Sequence, residues 1–157
     1  MCFNQDYGVL RQDLEMYRWL VIFALFSIPL NIQAKEMSET TRYAVVGLIG
    51  ELVECAMFYA IMGAGQDSSG NLSKNSERFL AVSEEAANIA SHLSDSVGMK
   101  NATITSMAEN YSKEMGEEIG FDGINISILI NKHGDFCKSL MEDPARRLEY
   151  WIQKESE

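Results

Sequence analysis

From Ser38 onward one pattern recurs: apolar residues at every third or fourth position, in long runs that each stop near a glycine or a proline. That spacing places the apolar side chains on one face of a helix. No stretch alternates with period two, as a half-buried strand would, so the expected fold is all-α, a bundle-like domain of four to five helices.

Ser38 is placed to cap a first helix from about Glu39 to Met62, with Leu48, Leu52, Cys55, Tyr59 and Met62 on its apolar face and Gly63 to Gly65 at its end. Gln66 to Ser76 reads as a loop, rich in Gly, Ser, Asn and Asp. A second helix is predicted from about Glu77 to Val97, stopped by Gly98. Asn101 is the predicted cap of a third, from about Ala102 to Ile119. The fourth, from about Ile124 to Met141, aligns Ile126, Ile130, His133, Cys137 and Leu140 or Met141. Asp143 followed by Pro144 is a strong start signal for a short last helix, Asp as cap and Pro where a missing N–H costs nothing.

Ahead of this lies Met16 to Ala34, MYRWLVIFALFSIPLNIQA. Its apolar centre runs from Trp19 to Phe26, well short of the roughly 20 residues a helix needs to cross a bilayer. Arg18, a helix-breaking Pro29 and the polar Asn31–Ala34 segment fit a secretory signal cleaved after Ala34. Residues 1–15 carry Asp6, Asp13 and Glu15 against Arg11, the wrong sign for such a signal. Translation from Met16 removes the conflict, so 1–15 is read as a start-site extension, 16–34 as a signal peptide and 35–157 as one domain. The expected location is periplasmic or secreted.

The chain from Lys35 has seven Lys and four Arg against twenty acidic residues, a net charge of −9. Nucleic acid and anionic lipid reward clustered positive charge, so a basic protein is the better electrostatic partner. Cleavage would also remove Cys2 and leave Cys55 and Cys137, an even pair that reads as one disulfide in an exported chain. In the chain-entropy account such a bond stabilises by about 4 to 5 kcal/mol.

Candidate chemistry is sparse. His133 and Cys137, four apart, could join Cys55 and His92 around a metal, but a disulfide would consume both thiols. The expectation is therefore no metal, no cofactor and a packed or hydrogen-bonded His133. Glu51 and Glu54 are the best hint of an enzyme, since paired carboxylates serve glycoside hydrolysis. At this spacing they read first as the solvated face of an amphipathic helix. No nucleophile elbow, dinucleotide fingerprint or phosphate loop occurs. Arg146, Arg147, Tyr150 and Trp151 form the densest recognition-like cluster, with Arg147 spaced to stack on both aromatics. The competing reading docks that helix to the core through Leu148, Trp151 and Ile152. Four Asn-x-Ser/Thr triplets, at Asn71, Asn101, Asn110 and Asn125, are not read as glycosylated, because the last two fall in or at the start of helices.

ELVECAMFYAIMG (Glu51–Gly63) and NKHGDFCKSLMEDPARRLEYW (Asn131–Trp151) resemble a loose class of small exported helical proteins of bacterial and phage genomes. In that class an early Cys followed by aromatics is matched by a late Gly-x-x-Cys and an Asp-Pro-x-x-Arg-x-x-Tyr-Trp ending. Here these are Cys55, Phe58 and Tyr59, then Gly134, Cys137, Asp143, Pro144, Arg147, Tyr150 and Trp151. The resemblance covers about a third of the chain and implies export, helices and the Cys55–Cys137 bond, with no activity attached. The function expected is that of an exported non-enzymatic binding protein, of inhibitor or immunity type, acting on a basic envelope enzyme. The rivals are an envelope hydrolase using Glu51 or Glu54, and a membrane hairpin of residues 19–30 and 44–64. Protein recovered from its native envelope is predicted to have an intact mass that begins at Lys35, with both thiols resisting alkylation until reduced. A mass retaining residues 16–34, or alkylation without reduction, would contradict this.

Overall fold

A computed structural model describes residues 37–64, 73–120 and 125–156. The expected start extension (1–15) and signal peptide (16–34), with Cys2, lie outside the described residues. Five helices make up the rest: α1 (Glu39–Gly63), α2 (Lys74–Val97), α3 (Asn101–Ile119), α4 (Ile126–Glu142) and α5 (Pro144–Lys154). Among the described residues the fold is all-α, with a Cys55–Cys137 disulfide joining α1 to α4 across Cα atoms 5.3 Å apart.

Helix α1 is the centre. Ser38 caps it, its Oγ accepting from the Thr41 N–H at 3.1 Å. Beyond that cap the helix is buried on more sides than the single apolar face read from its spacing. Ala44, Val45, Ile49, Val53, Ala56 and Phe58 join Leu48, Leu52, Cys55 and Tyr59 in the core. All four other helices pack against it, α2 most extensively. The α2 face that meets α1 is built from small residues, Ala86, Ala90 and Ser94, each fully buried. Small side chains let two helix axes approach closely. Ser83 fixes that contact by donating to the Ala56 carbonyl of α1 at 2.8 Å. Arg42 reaches from α1 to the Val97 carbonyl at 3.3 Å, supplying the cation that α2 lacks in its own last turn.

Some boundaries move. Helix α2 begins at Lys74, three residues before the predicted Glu77, because Ser73 caps it by accepting from the Ser76 N–H at 3.0 Å. Asn101 is the first residue of α3 and not its cap. Lys100 precedes it with no side-chain cap, and the first turn closes on a backbone bond from Thr103 N–H to the Lys100 carbonyl. Helix α4 starts at Ile126, and Leu129, not Ile130, lies on its buried stripe with His133, Cys137 and Leu140. Ile130 is 45% exposed. Gly98 and Gly120 end α2 and α3 in the left-handed region that glycine tolerates, at φ +67° and +80°. Asp143 caps α5 as expected, its Oδ1 accepting from the Arg146 N–H at 3.0 Å.

Gly47, in the interior of α1, has another use. A Cβ there would lie 2.7–2.9 Å from three ring atoms of Trp151, so the indole of α5 sits directly on the α1 backbone. At Gly134, inside α4, the nearest atom to an added Cβ is 3.7 Å away. Alanine should therefore act with opposite signs at the two positions. Gly134→Ala is expected to stabilise by about 0.5 to 1 kcal/mol through helix propensity. Gly47→Ala is expected to destabilise by about 1 to 3 kcal/mol, because displacing Trp151 outweighs that gain. Urea unfolding followed by Trp fluorescence measures both, and stabilisation by both substitutions would rule out the Gly47–Trp151 seat.

Candidate functional site: paired carboxylates and the cleft between the last two helices

Glu51 and Glu54 face the protein and not the solvent, with side chains 13% and 23% exposed. The solvated-face reading is thus corrected: α1 is covered on this side too, by α4 and α5. A carboxylate largely covered by protein needs a partner, and each has one. Arg147 of α5 grips Glu51 with two donors, Nε to Oε2 at 2.8 Å and Nη2 to Oε1. His133 of α4, buried at 6% exposure, places Nδ1 2.8 Å from Glu54 Oε1. With a carboxylate as acceptor the donated proton sits on Nδ1. His133 is the hydrogen-bonded core histidine its position in the stripe predicted.

These pairs determine what chemistry is available. Both oxygens of Glu51 are held by one guanidinium, so the carboxylate is committed to an internal tie between α1 and α5. Glu54 orients His133 as the carboxylate of a catalytic dyad would, yet the buried Nε2 has no hydrogen-bond partner among the described residues. Among the described residues no hydroxyl or thiol is hydrogen-bonded to that nitrogen, where a nucleophile would sit. One turn along α4, Cys137 is fully buried and disulfide-bonded. The metal quartet does not assemble, since the disulfide takes both cysteines and His92 is exposed on α2. The same carboxylates reach Tyr111 of α3, whose phenol is pushed above its ordinary range by burial and then by Glu54, Glu114 and Glu51. On the α3–α4 seam Lys132 pairs with Glu118.

The four residues of the recognition-like cluster divide. Trp151 packs against the core with Leu148, so the docking reading holds for that side of α5. Arg147 stacks as its spacing allowed, its Cζ 4.1 Å from the Tyr150 ring centroid and 5.9 Å from that of Trp151. It also lies 5.4 Å from the ring of Phe136 on α4. Arg146 and Tyr150 remain exposed. Between α4 and α5 opens a cleft of about 300 Å³, walled by Phe136, Ser139 and Leu140 on one side and Arg146, Arg147 and Tyr150 on the other, with Asp143 at the corner. Arg146 Nη2 donates to Ser139 Oγ at 3.1 Å across it.

Phe136 and Ser139 were not read as site residues. Their signal was the Asp143–Pro144 corner, which folds α5 back so that positions 136, 139 and 140 meet 146, 147 and 150. Helix α1 is the one described helix long and apolar enough to cross a membrane, and 56% of its apolar window is buried within the domain.

Comparison with protein-family models, curated proteins and solved structures gives no match to this chain.

The Glu51–Arg147 pair is the tie that holds α5 and fixes Arg147 in the cleft wall. Glu51→Gln is expected to lower stability by about 1 to 3 kcal/mol, below the figure for a fully buried pair because Arg147 keeps partial access to water. In a double-mutant cycle with Arg147→Met, urea unfolding should give a coupling above about 0.5 kcal/mol. Additive effects would mean that the two residues act independently.

Proposed function

We propose that this chain is an exported, non-enzymatic binding protein of inhibitor or immunity type, which docks a basic, envelope-acting partner at the α4–α5 cleft. The observation that carries this reading is the state of the cleft. Arg147 is fixed by Glu51 and by three aromatic rings, while Arg146 and Tyr150 stay exposed beside it. Arg and Tyr are the side chains most enriched in binding hot spots, and a contact surface held rigid before binding loses less entropy on association.

Export supports the same reading through the disulfide, a bond that persists in oxidising compartments. Net charge supports the choice of partner. An acidic domain attracts a basic one over long range and speeds encounter. It repels nucleic acid and anionic lipid.

A hydrolase using Glu51 or Glu54 is the rival from another class. Its support is weaker, because both Glu51 oxygens are held by Arg147 and the His133 ring is buried. A partner captured from the envelope should be basic, should associate more slowly as salt rises, and should be lost when Arg146→Glu and Tyr150→Ala are combined in a protein of unchanged melting temperature. Activity on an envelope polymer that Glu54→Gln abolishes without loss of stability would instead select the hydrolase.

A further inference from the structure

Arg146 is a cation among the described residues with its partners only partly supplied. Asp143 lines the same cleft, but its Oδ1 is used in capping α5, and Glu51 is taken by Arg147. The Arg146 guanidinium makes one side-chain hydrogen bond, to the neutral hydroxyl of Ser139, and no ion pair among the described residues. A guanidinium has five N–H donors in a planar fork that fits a carboxylate with two parallel bonds. Ser139 Oγ can add a third donor. Immediately beside this polar rim the cleft is apolar: Leu140 forms its floor at 2% exposure, and the Phe136 and Tyr150 rings form its walls.

A volume of about 300 Å³ is at the lower limit of ligand pockets and accepts one residue, not an extended peptide. The occupant must therefore carry a carboxylate and an apolar side chain on the same residue. An internal Asp or Glu has the first without the second, and an internal Leu or Phe has the second without the first. Within a polypeptide partner, only the C-terminal residue has both on one Cα. We infer that the α4–α5 cleft captures the C-terminal apolar residue of a partner protein, its terminal carboxylate on Arg146 and Ser139 and its side chain against Phe136, Leu140 and Tyr150.

This deepens the binding reading and rests on it. The overall acidity of the domain does not oppose such capture, because charges beyond about 8 Å are screened at physiological ionic strength while Arg146 contacts the carboxylate directly. A basic partner is drawn by the net negative charge, more weakly as salt rises, and locked by its terminus.

The test is an NMR titration of the isotope-labelled, oxidised protein with acetyl-Gly-Gly-Leu bearing a free carboxylate, its C-terminal amide, and acetyl-Gly-Glu-Gly-amide. Capture predicts saturable shifts of amides between residues 136 and 150 with the free acid, and affinity about tenfold or more weaker for the other two peptides, the loss of a charge-assisted bond. Arg146→Gln, an exposed substitution, should erase the preference for the acid, and Lys154→Gln, outside the cleft, should not. Equal binding of acid and amide, a match between the glutamate peptide and the free acid, or no shifts at millimolar peptide would each overturn the inference. If it fails while the envelope partner is still captured and still lost with Arg146→Glu and Tyr150→Ala, the cleft is a docking surface that does not read chain ends. If that capture fails as well, the binding reading falls with it.

Discussion

A helix that is enclosed along most of its length and carries two carboxylates near its middle cannot be covered by apolar side chains alone. Glu51 and Glu54 stand one turn apart on α1, flanked by Leu52, Val53 and the bonded Cys55, all buried. Burying an ionised carboxylate without a partner is costly enough that the fold has to bring cations or donors to it. Helix α4 brings His133 and α5 brings Arg147. Both helices lie where they meet that requirement and also bury apolar side chains on the core.

The disulfide acts at the same place. Cys55 is next to Glu54 and Cys137 is one turn from His133, so a covalent and a polar tie join the same stretches of α1 and α4. Closing a loop of 82 residues restricts the unfolded chain by about 4.5 kcal/mol in the chain-entropy account. That is comparable to the entire stability of many small domains. With α4 fixed, the Asp143–Pro144 corner sets where α5 can lie, and Trp151 reaches α1 only because position 47 has no side chain. The cleft is thus a product of four restraints: the staple, the capped corner, the Glu51–Arg147 pair and the indole seated on glycine.

Arg147 shows how binding potential arises from structural need. Its guanidinium answers Glu51, and the same planar group lies against Phe136, Tyr150 and Trp151. Lysine could supply the charge but not the fork or the stacking plane. The neighbouring Arg146 points into the cleft with most of its donors unused by the described protein groups. One arginine is held by the fold, and the next is left with donors to spare.

Helices, their approximate ends and the two cysteines on apolar faces were legible from residue spacing, because the 3.6-residue period and capping chemistry are local. So was the possible Arg147–Tyr150 stack, three residues apart on one helix. What spacing could not reveal was which charged residues are enclosed. Glu51 and Glu54 have the look of a solvated face, and only the placement of α4 and α5, far along the chain, turns that face inward. For the same reason Ile130 was assigned to the buried stripe and Leu129 was not. A shift of one position on a helix turns a side chain by about 100°, and which side is covered depends on the neighbours. The residues alone determined an all-α domain with a pair of cysteines placed to join two helices. Tertiary structure decided that its two central carboxylates are answered from within, because burial and ion pairing belong to contacts between segments and not to any one of them.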